Sequence, residues 1–240
     1  MASPAVRSRL SELAERARLP SEAPGRLETL LDLVAVEPVS ITAVRDPAEG
    51  VDVHVADSLA ALELEPVRRA SRVADLGSGG GFPGLVLAVA LPPARVSLVE
   101  SVARKCAFLE RAAAAIGLDN VRVVNRRAEE WAAGLAANDL VTVRAVAPLP
   151  VLVEYAAPLL EPGGALVAWK GRRDDREEAD GAAAADVLGM QRPEPRRVTA
   201  FRGADERHLY LSLKVGSTPN EYPRRAGMAR KRPIAASTGR

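Results

Sequence analysis

The sequence predicts an α/β protein with a doubly wound, mostly parallel sheet, one antiparallel strand near the sheet edge, and a small helical module at the N-terminus. Three observations support this prediction. Short apolar runs alternate with amphipathic segments from residue 72 to residue 169. A glycine-rich run follows the first of these apolar runs directly. The last two predicted strands are joined by a loop that is too short for a crossover.

The predicted helical module covers residues 1–66. Apolar residues recur at helical spacing in two stretches before residue 35, which predicts two helices. A third helix has the clearest start, because Asp46 is a good N-cap, Pro47 suits the first helical position and Glu49 completes a capping box. The apolar stripe of this third helix comprises Val51, Val55, Leu59 and Leu62.

The predicted sheet domain covers residues 67–215. Its first five strands are expected at residues 73–76, 95–99, 121–125, 140–144 and 165–169. Helices are expected between them, and strand–helix alternation at this spacing predicts parallel strands with right-handed crossovers. A further helix should follow the mixed-charge stretch 172–180. Two last strands, at 197–201 and 208–215, then form an antiparallel hairpin.

Composition narrows the class of protein. The 240 residues are 48% hydrophobic and 27% charged, which is typical of a soluble globular protein. No apolar run approaches the roughly 18 residues of a membrane helix, and the N-terminus lacks the pattern of a secretory signal. The single cysteine, Cys106, fits a reducing cytoplasm, and the two histidines, His54 and His208, form no zinc pattern. We therefore expect a cytoplasmic protein with no membrane partner and no metal.

The glycine-rich run GSGGGFPG, residues 77–84, is the strongest chemical signal. Glycines at this position let the backbone approach a ligand closely, and the N-terminus of the following helix favours negative groups. Gly79, Gly81 and Gly84 also satisfy the dinucleotide fingerprint G-x-G-x-x-G. A tight turn without any ligand is a third interpretation of the same residues.

Three details favour S-adenosylmethionine over a dinucleotide. Asp75 lies at the strand end, two residues before Gly77, where a carboxylate can hold an ammonium group. Phe82 and Pro83 add bulk where a pyrophosphate would need open amides. The reversed strand near the sheet edge also differs from the all-parallel nucleotide-binding sheet. The candidate cofactor contacts of this region are Asp75, Gly77, Gly79, Gly81 and Phe82.

Further candidates follow the next three strands. Glu100 ends the second strand, where an acid accepts hydrogen bonds from ribose hydroxyls, although an acid there also complements a helix N-terminus. Ala128 and Glu129 follow the third strand, where a loop meets an adenine ring, and a charged helix start would explain them equally. Arg144 ends the fourth strand and could orient the methyl donor or an RNA phosphate. We interpret His54 as a packed or capping side chain.

In combination these motifs resemble the glucose-inhibited division protein B family, the small-subunit ribosomal RNA guanine-N7 methyltransferases. The resemblance extends from about residue 31 into the tail, in the same order and with similar spacing. The matching stretches are residues 40–47, 54, 57–58, 75–84, 100–101, 104–105, 127–130, 144–145, 169–171, 207–209 and 222–233.

The resemblance implies a Rossmann-like methyltransferase sheet, S-adenosylmethionine as cofactor, and small-subunit (16S) ribosomal RNA or the ribosomal small subunit as partner. It implies cofactor contacts at Gly77, Phe82, Ala128, Glu129 and Arg144, with Glu100 on the ribose. Guanine N7 carries a lone pair and no proton, so no general base and no catalytic residue of that kind are expected. Three alternatives stay open: a small-molecule methyltransferase, a nicotinamide-linked dehydrogenase and a non-catalytic RNA-binding assembly protein.

The C-terminal tail, residues 216–240, is basic and is expected to be flexible. It carries six basic residues, including Arg230 and Arg240, against a single acid, Glu221. Such a tail is attracted to polyanions, although a solvated end has the same composition. We therefore assign the tail to RNA and give it no part in cofactor binding. The candidate RNA contacts are Arg144, Lys170, Arg207, Arg224, Arg225, Lys231 and Arg232.

Overall fold

The computed structural model describes residues 2–236. Its strands are β1 (Arg72–Leu76), β2 (Arg95–Glu100), β3 (Val121–Asn125), β4 (Asn138–Arg144), β5 (Leu160–Lys170), β6 (Glu194–Arg197) and β7 (His208–Leu213). Its helices are α1 (Pro4–Ala17), α2 (Ala23–Val36), α3 (Pro47–Gly50), α4 (Asp57–Leu59), α5 (Glu65–Arg68), α6 (Gly84–Ala90), α7 (Ala103–Ala115), α8 (Leu149–Ala156), α9 (Asp175–Leu188) and α10 (Met228–Lys231). None of these helices is both long and apolar enough to span a bilayer.

The strands form one sheet in the order β3-β2-β1-β4-β5-β7-β6. β1 pairs in parallel with β2 and β4, and the parallel pairing continues outward to β3 and β5. β7 is antiparallel to both of its neighbours, β5 and β6. The predicted doubly wound sheet with one reversed strand near its edge is therefore confirmed.

The edge strand β6, which pairs with the reversed strand β7, is displaced from its expected position. We predicted residues 197–201, but the strand is Glu194–Arg197. Val198 and Ala200 lie outside it and are buried in the same apolar cluster as the N-terminal helices. Their packing against that module, rather than their strand propensity, decides where β6 ends.

The third N-terminal helix starts as predicted, because Asp46 Oδ1 accepts a hydrogen bond from the Ala48 amide at 3.0 Å. The prediction of one regular helix after it is wrong. α3 passes into a π-helical segment, Val51–Ala56, before α4 and a final 3₁₀ turn. π-helical turns are rare in proteins, and those that occur are often found at functional sites. This one lies beside the carboxyl ends of the central strands, through contacts of Val53 and His54 with Arg144.

The described part of the C-terminal tail packs on the sheet domain. The Arg224 guanidinium forms an ion pair with Glu154 of α8, whose carboxylate is only 2% exposed. Ala229 is 1% exposed, and the Ala236 amide donates to Asp180 Oδ1 at 2.8 Å. This packing departs from the flexible tail that we expected from composition. Arg240 lies outside the described residues.

We expect Arg224→Ala to lower the free energy of unfolding by roughly 2 to 3 kcal/mol, because the substitution leaves a buried carboxylate without its partner. Arg225→Ala is the matched control, since Arg225 is exposed in the same segment, and its effect should stay within about 0.5 kcal/mol. Guanidinium denaturation of the two variants measures both values. Equal stabilities would contradict a structural role for the Arg224–Glu154 pair.

Candidate functional site

Two cavities open at the carboxyl ends of β1, β2 and β4, on either side of Gly77. The large cavity, about 540 Å³, is lined by residues 41–44, the glycine turn and Arg144. The small cavity, about 90 Å³, is lined by Ala128, Glu129 and neighbours from several elements. Gly77 lines both cavities. This is the sheet edge where ligands of open α/β sheets bind.

The glycine turn between β1 and α6 requires glycine for two reasons. Gly77, Gly79 and Gly81 have φ values of +69°, +51° and +89°, a region that other residues rarely adopt. A Cβ added to Gly77 would lie 2.6 Å from Val146 Cγ2. The turn therefore presents bare backbone to the cavities, as a ligand cradle requires.

Asp75 lies beneath this turn rather than in either cavity. Its side chain is buried, and Oδ1 accepts a hydrogen bond from Thr142 Oγ1 at 2.9 Å. Oδ2 lies against Gly84 at the start of α6 and meets no full hydrogen-bond geometry among residues 2–236, while the nearby Gly84 amide and Ser78 hydroxyl favour the charged form. Burial raises the pKa of the carboxyl to about 6. The structure thus places Asp75 where it supports the turn and separates it from the ligand space.

Glu100 joins the glycine turn to the next helix. One carboxylate oxygen accepts from the Gly79 amide at 3.1 Å and the other from the Val102 amide at 2.9 Å. Val102 occupies the N-cap position of α7, and Glu100 accepts its amide. The side chain is 6% exposed and holds the turn in place from the end of β2.

Arg144 belongs to a cluster that the sequence did not reveal. Its guanidinium donates to Asp57 Oδ2 at 3.0 Å, and Arg207 Nε lies 3.0 Å from the other oxygen of the same carboxylate. Asp57 is 0% exposed. It belongs to the N-terminal module, so the module supplies the counter-ion for two arginines of the sheet domain. The only sequence signal for Asp57 was the family resemblance.

His54 is packed, as interpreted, and it is also part of this cluster. Its ring stacks on Phe82 with centroids 4.3 Å apart. Nε2 lies 2.9 Å from the Val44 carbonyl oxygen, which makes Nε2 the protonated nitrogen. Nδ1 then accepts from Arg144 Nη2 at 3.3 Å. Burial and the nearby arginine lower the pKa of the imidazole.

The large cavity is strongly basic. Lys105, Arg144, Lys170 and Arg207 line it, and none of its lining residues within the described chain is acidic. Lys170 is held by Glu177, which also accepts the Leu149 amide. Lys105 was not among the candidates we named. Such a concentration of cations favours phosphate or carboxylate ligands.

The remaining predicted residues are divided between the small cavity and the surface. Ala128 and Glu129 form a 3₁₀ turn that lines the small cavity, and their contact with an adenine ring stays a prediction. The tail residues Arg225, Lys231 and Arg232 are exposed, whereas Arg224 is paired with Glu154. Across residues 2–236, no three His, Cys, Asp or Glu side chains are grouped so that they could hold a metal ion.

Comparisons with known proteins identify the family and the fold. Residues 27–210 match the GidB family, described as rRNA small subunit methyltransferase G. The chain is 42% identical to Ribosomal RNA small subunit methyltransferase G of Rubrobacter xylanophilus, over 86% of this chain and 82% of the relative. Identity to the protein of the same name from Desulfitobacterium hafniense is 40%, over 82% and 83%. A SAM-dependent methyltransferase structure from Aquifex aeolicus shares the fold with a TM-score of 0.56 at 15% identity, covering 75% of this chain and 99% of that one.

We expect Asp75 to make the protein less stable as pH rises from about 4 to about 6. Between the ordinary pKa of 3.8 and the raised value of about 6 the folded state holds a proton that the unfolded chain has released. The free energy of unfolding therefore falls by about 3 kcal/mol across this window, at about 1.4 kcal/mol per pKa unit.

The measurement is the difference in unfolding free energy between wild type and Asp75→Asn, followed by denaturation from pH 4 to pH 6.5. The lowered pKa of His54 acts in the opposite sense, but it is common to both proteins and cancels in the difference. Exposed Asp119 provides the matched control, Asp119→Asn. Parallel curves for wild type and Asp75→Asn would show that Asp75 does not titrate in this way.

Proposed function

Because the chain belongs to the rRNA small subunit methyltransferase G family, we propose that it transfers a methyl group from S-adenosylmethionine to N7 of a guanine in small-subunit (16S) ribosomal RNA, in the cytoplasm. One observation carries this proposal. The bare glycine turn and a cavity lined by four basic side chains meet at the same sheet edge, at Gly77 and Gly79. A cofactor cradle and an RNA-facing cavity are thereby adjacent.

The residues present fit S-adenosylmethionine. Gly77 and Gly79 line the large cavity with backbone alone, so the main chain there is accessible to a ligand. Ala128 with Glu129 lines the small cavity as the candidate adenine site. Glu100 at the end of β2 stays the proposed ribose acceptor; it lines neither cavity, and its two oxygens also accept the Gly79 and Val102 amides. Asp75 acts in this proposal through the turn that it supports. When bound, the cofactor supplies an electrophilic methyl group on a sulfonium.

The proposed RNA side is the large cavity and the exposed part of the tail. Arg144, Lys170 and Arg207 retain partial exposure while their counter-ions fix their positions. Fixed cations of this kind position a phosphate backbone but do not read sequence. The exposed residues Arg225, Lys231 and Arg232 add contacts with phosphate in this proposal. The partner is ribosomal RNA or the small subunit that contains it.

The chemistry proposed here uses no general base. Both nitrogens of His54 are engaged, with Nε2 donating to Val44 and Nδ1 accepting from Arg144, so the ring has no free lone pair for a substrate proton. Guanine N7 has no proton to remove. The contribution of the protein is therefore orientation of the two reactants, an effect that reaches roughly 7 to 11 kcal/mol in well-aligned systems.

We expect Glu100→Ala to weaken binding of S-adenosylhomocysteine by about 1.5 to 3 kcal/mol, because the substitution removes charge-assisted hydrogen bonds. Glu130→Ala is the matched control, since this carboxylate is exposed in the turn next to Glu129. Calorimetric titration of both variants and the wild type gives the three dissociation constants. Wild type that binds NAD and not S-adenosylhomocysteine would overturn the proposed cofactor, and an unchanged constant for Glu100→Ala would remove Glu100 from the site.

We expect 7-methylguanosine as the product in small-subunit ribosomal RNA, at a single-turnover rate that stays nearly flat from about pH 7 to about 9, above the titration of Asp75, since no base titrates there. Mass spectrometry of the RNA and strand scission under alkali identify the methylated atom. Reactions without the methyl donor provide the background. A methyl on a ribose, on cytosine C5 or on an exocyclic amine would refute the assignment, and a steep pH limb would refute the mechanism.

A further inference from the structure

The C-terminal tail forms part of the wall of the small cavity. We call residues 222–236 the docked segment. Arg230 of this segment lines the cavity beside Ala128 and Glu129, and its guanidinium donates to the Val146 carbonyl at 2.8 Å. The backbone amide of Gly227 donates to Glu129 Oε1 at 2.9 Å. The segment therefore touches the candidate adenine site through one side chain and one amide.

The docked segment is held on both sides of these contacts. Before them, Arg224 pairs with the buried carboxylate of Glu154. After them, Ile234 packs against the apolar cluster beneath α8 and α9, and the Ala236 amide bonds Asp180. Anchors on both sides fix the backbone between them, so Gly227 and Arg230 have defined positions at the cavity.

The chemistry of the cavity suits a purine. Glu129, Tyr155 and Arg230 bring acceptors and donors to one small space. A guanidinium is planar and carries five N–H donors. Val146 takes one and the Tyr155 hydroxyl interacts with the same group, so the side chain retains donors for a ring nitrogen and a flat face for stacking. The Gly227 amide occupies one oxygen of Glu129 and thereby orients the other.

We infer that Arg230 is a cofactor-binding residue that contacts the donor's adenine base, and that Gly227 is a positioning residue for Glu129. This inference rests on the proposed function and extends it to a segment that composition assigned to RNA alone. The docked segment would then serve both ligands. Arg230 is exposed, as are Arg225, Lys231 and Arg232, but of these four side chains it is the one that lines the small cavity.

The test compares Arg230→Ala with Arg225→Ala, which removes the same charge from the same segment away from the cavity. Calorimetry with S-adenosylhomocysteine should show a loss of about tenfold in affinity for Arg230→Ala, a typical value for one charge-assisted contact. Arg225→Ala should bind within about twofold of wild type. Thermal unfolding of both variants checks that the fold is intact.

A second readout does not depend on any variant. Cofactor binding and docking of the segment are reciprocally coupled, so a ligand that touches the docked segment must also stabilise its docking. Saturating S-adenosylhomocysteine should therefore slow hydrogen exchange of the Gly227 and Lys231 amides in the wild type, since both amides are hydrogen-bonded in the docked state.

If Arg230→Ala fails to fold, Arg230→Lys replaces it in the calorimetry and keeps the charge while losing the planar fork.

The outcomes separate the inference from the proposed function. Wild type that does not bind S-adenosylhomocysteine would refute the proposed function itself. Wild type that binds, with Arg230→Ala and Arg225→Ala equal to it and with unchanged exchange at Gly227 and Lys231, would refute the inference alone. Selective weakening in Arg230→Ala together with slowed exchange at these amides would establish the segment as part of the cofactor site.

Discussion

The fully buried carboxylate of Asp57 organises the candidate site. Burying an unpaired carboxylate away from solvent costs free energy. Two arginines of the sheet domain, Arg144 and Arg207, offset this cost, each with a nitrogen 3.0 Å from a carboxylate oxygen of Asp57. Removing one partner of a buried pair typically costs about 3 to 5 kcal/mol, because the other charge stays buried. The same contact that ties the N-terminal module to the sheet therefore fixes the cations of the large cavity. The π-helical turn matters because it brings His54 to Arg144 just ahead of Asp57.

The two sides of the site are held by different means. Backbone and hydrogen bonds define the proposed cofactor side, where Glu100 uses both oxygens to fix the Gly79 and Val102 amides. Ion pairs define the proposed RNA side, where Asp57 and Glu177 hold the basic side chains. A small neutral-to-cationic ligand needs a shaped backbone, whereas a long polyanion needs charges at set positions. The use of backbone hydrogen bonds on one side and ion pairs on the other therefore matches the chemistry of the two proposed ligands.

The sequence was sufficient wherever local pattern determines structure. Strand–helix alternation predicted the parallel sheet, and the short loop before β7 predicted that this strand is reversed. The sequence was insufficient where contacts between distant segments determine the structure. Asp57 meets Arg144 and Arg207 only in the folded chain, and β6 ends early because Val198 and Ala200 pack on the N-terminal module. A basic composition likewise cannot distinguish the exposed Arg225 from Arg224, which is paired with Glu154.

Asp75 and Glu100 end neighbouring strands, yet their carboxylates have opposite energetic characters. Each oxygen of Glu100 accepts a backbone amide, so its burial is compensated. Asp75 has one oxygen that meets no full hydrogen-bond geometry in the described chain, and burial raises the pKa of its carboxyl to about 6. An asparagine of equal size would avoid that desolvation cost. The Asp75 carboxylate, ionised at neutral pH, therefore costs stability beneath the turn. Its charge lies behind the amides of the glycine turn, where it adds negative potential to the space in which the proposed sulfonium would bind.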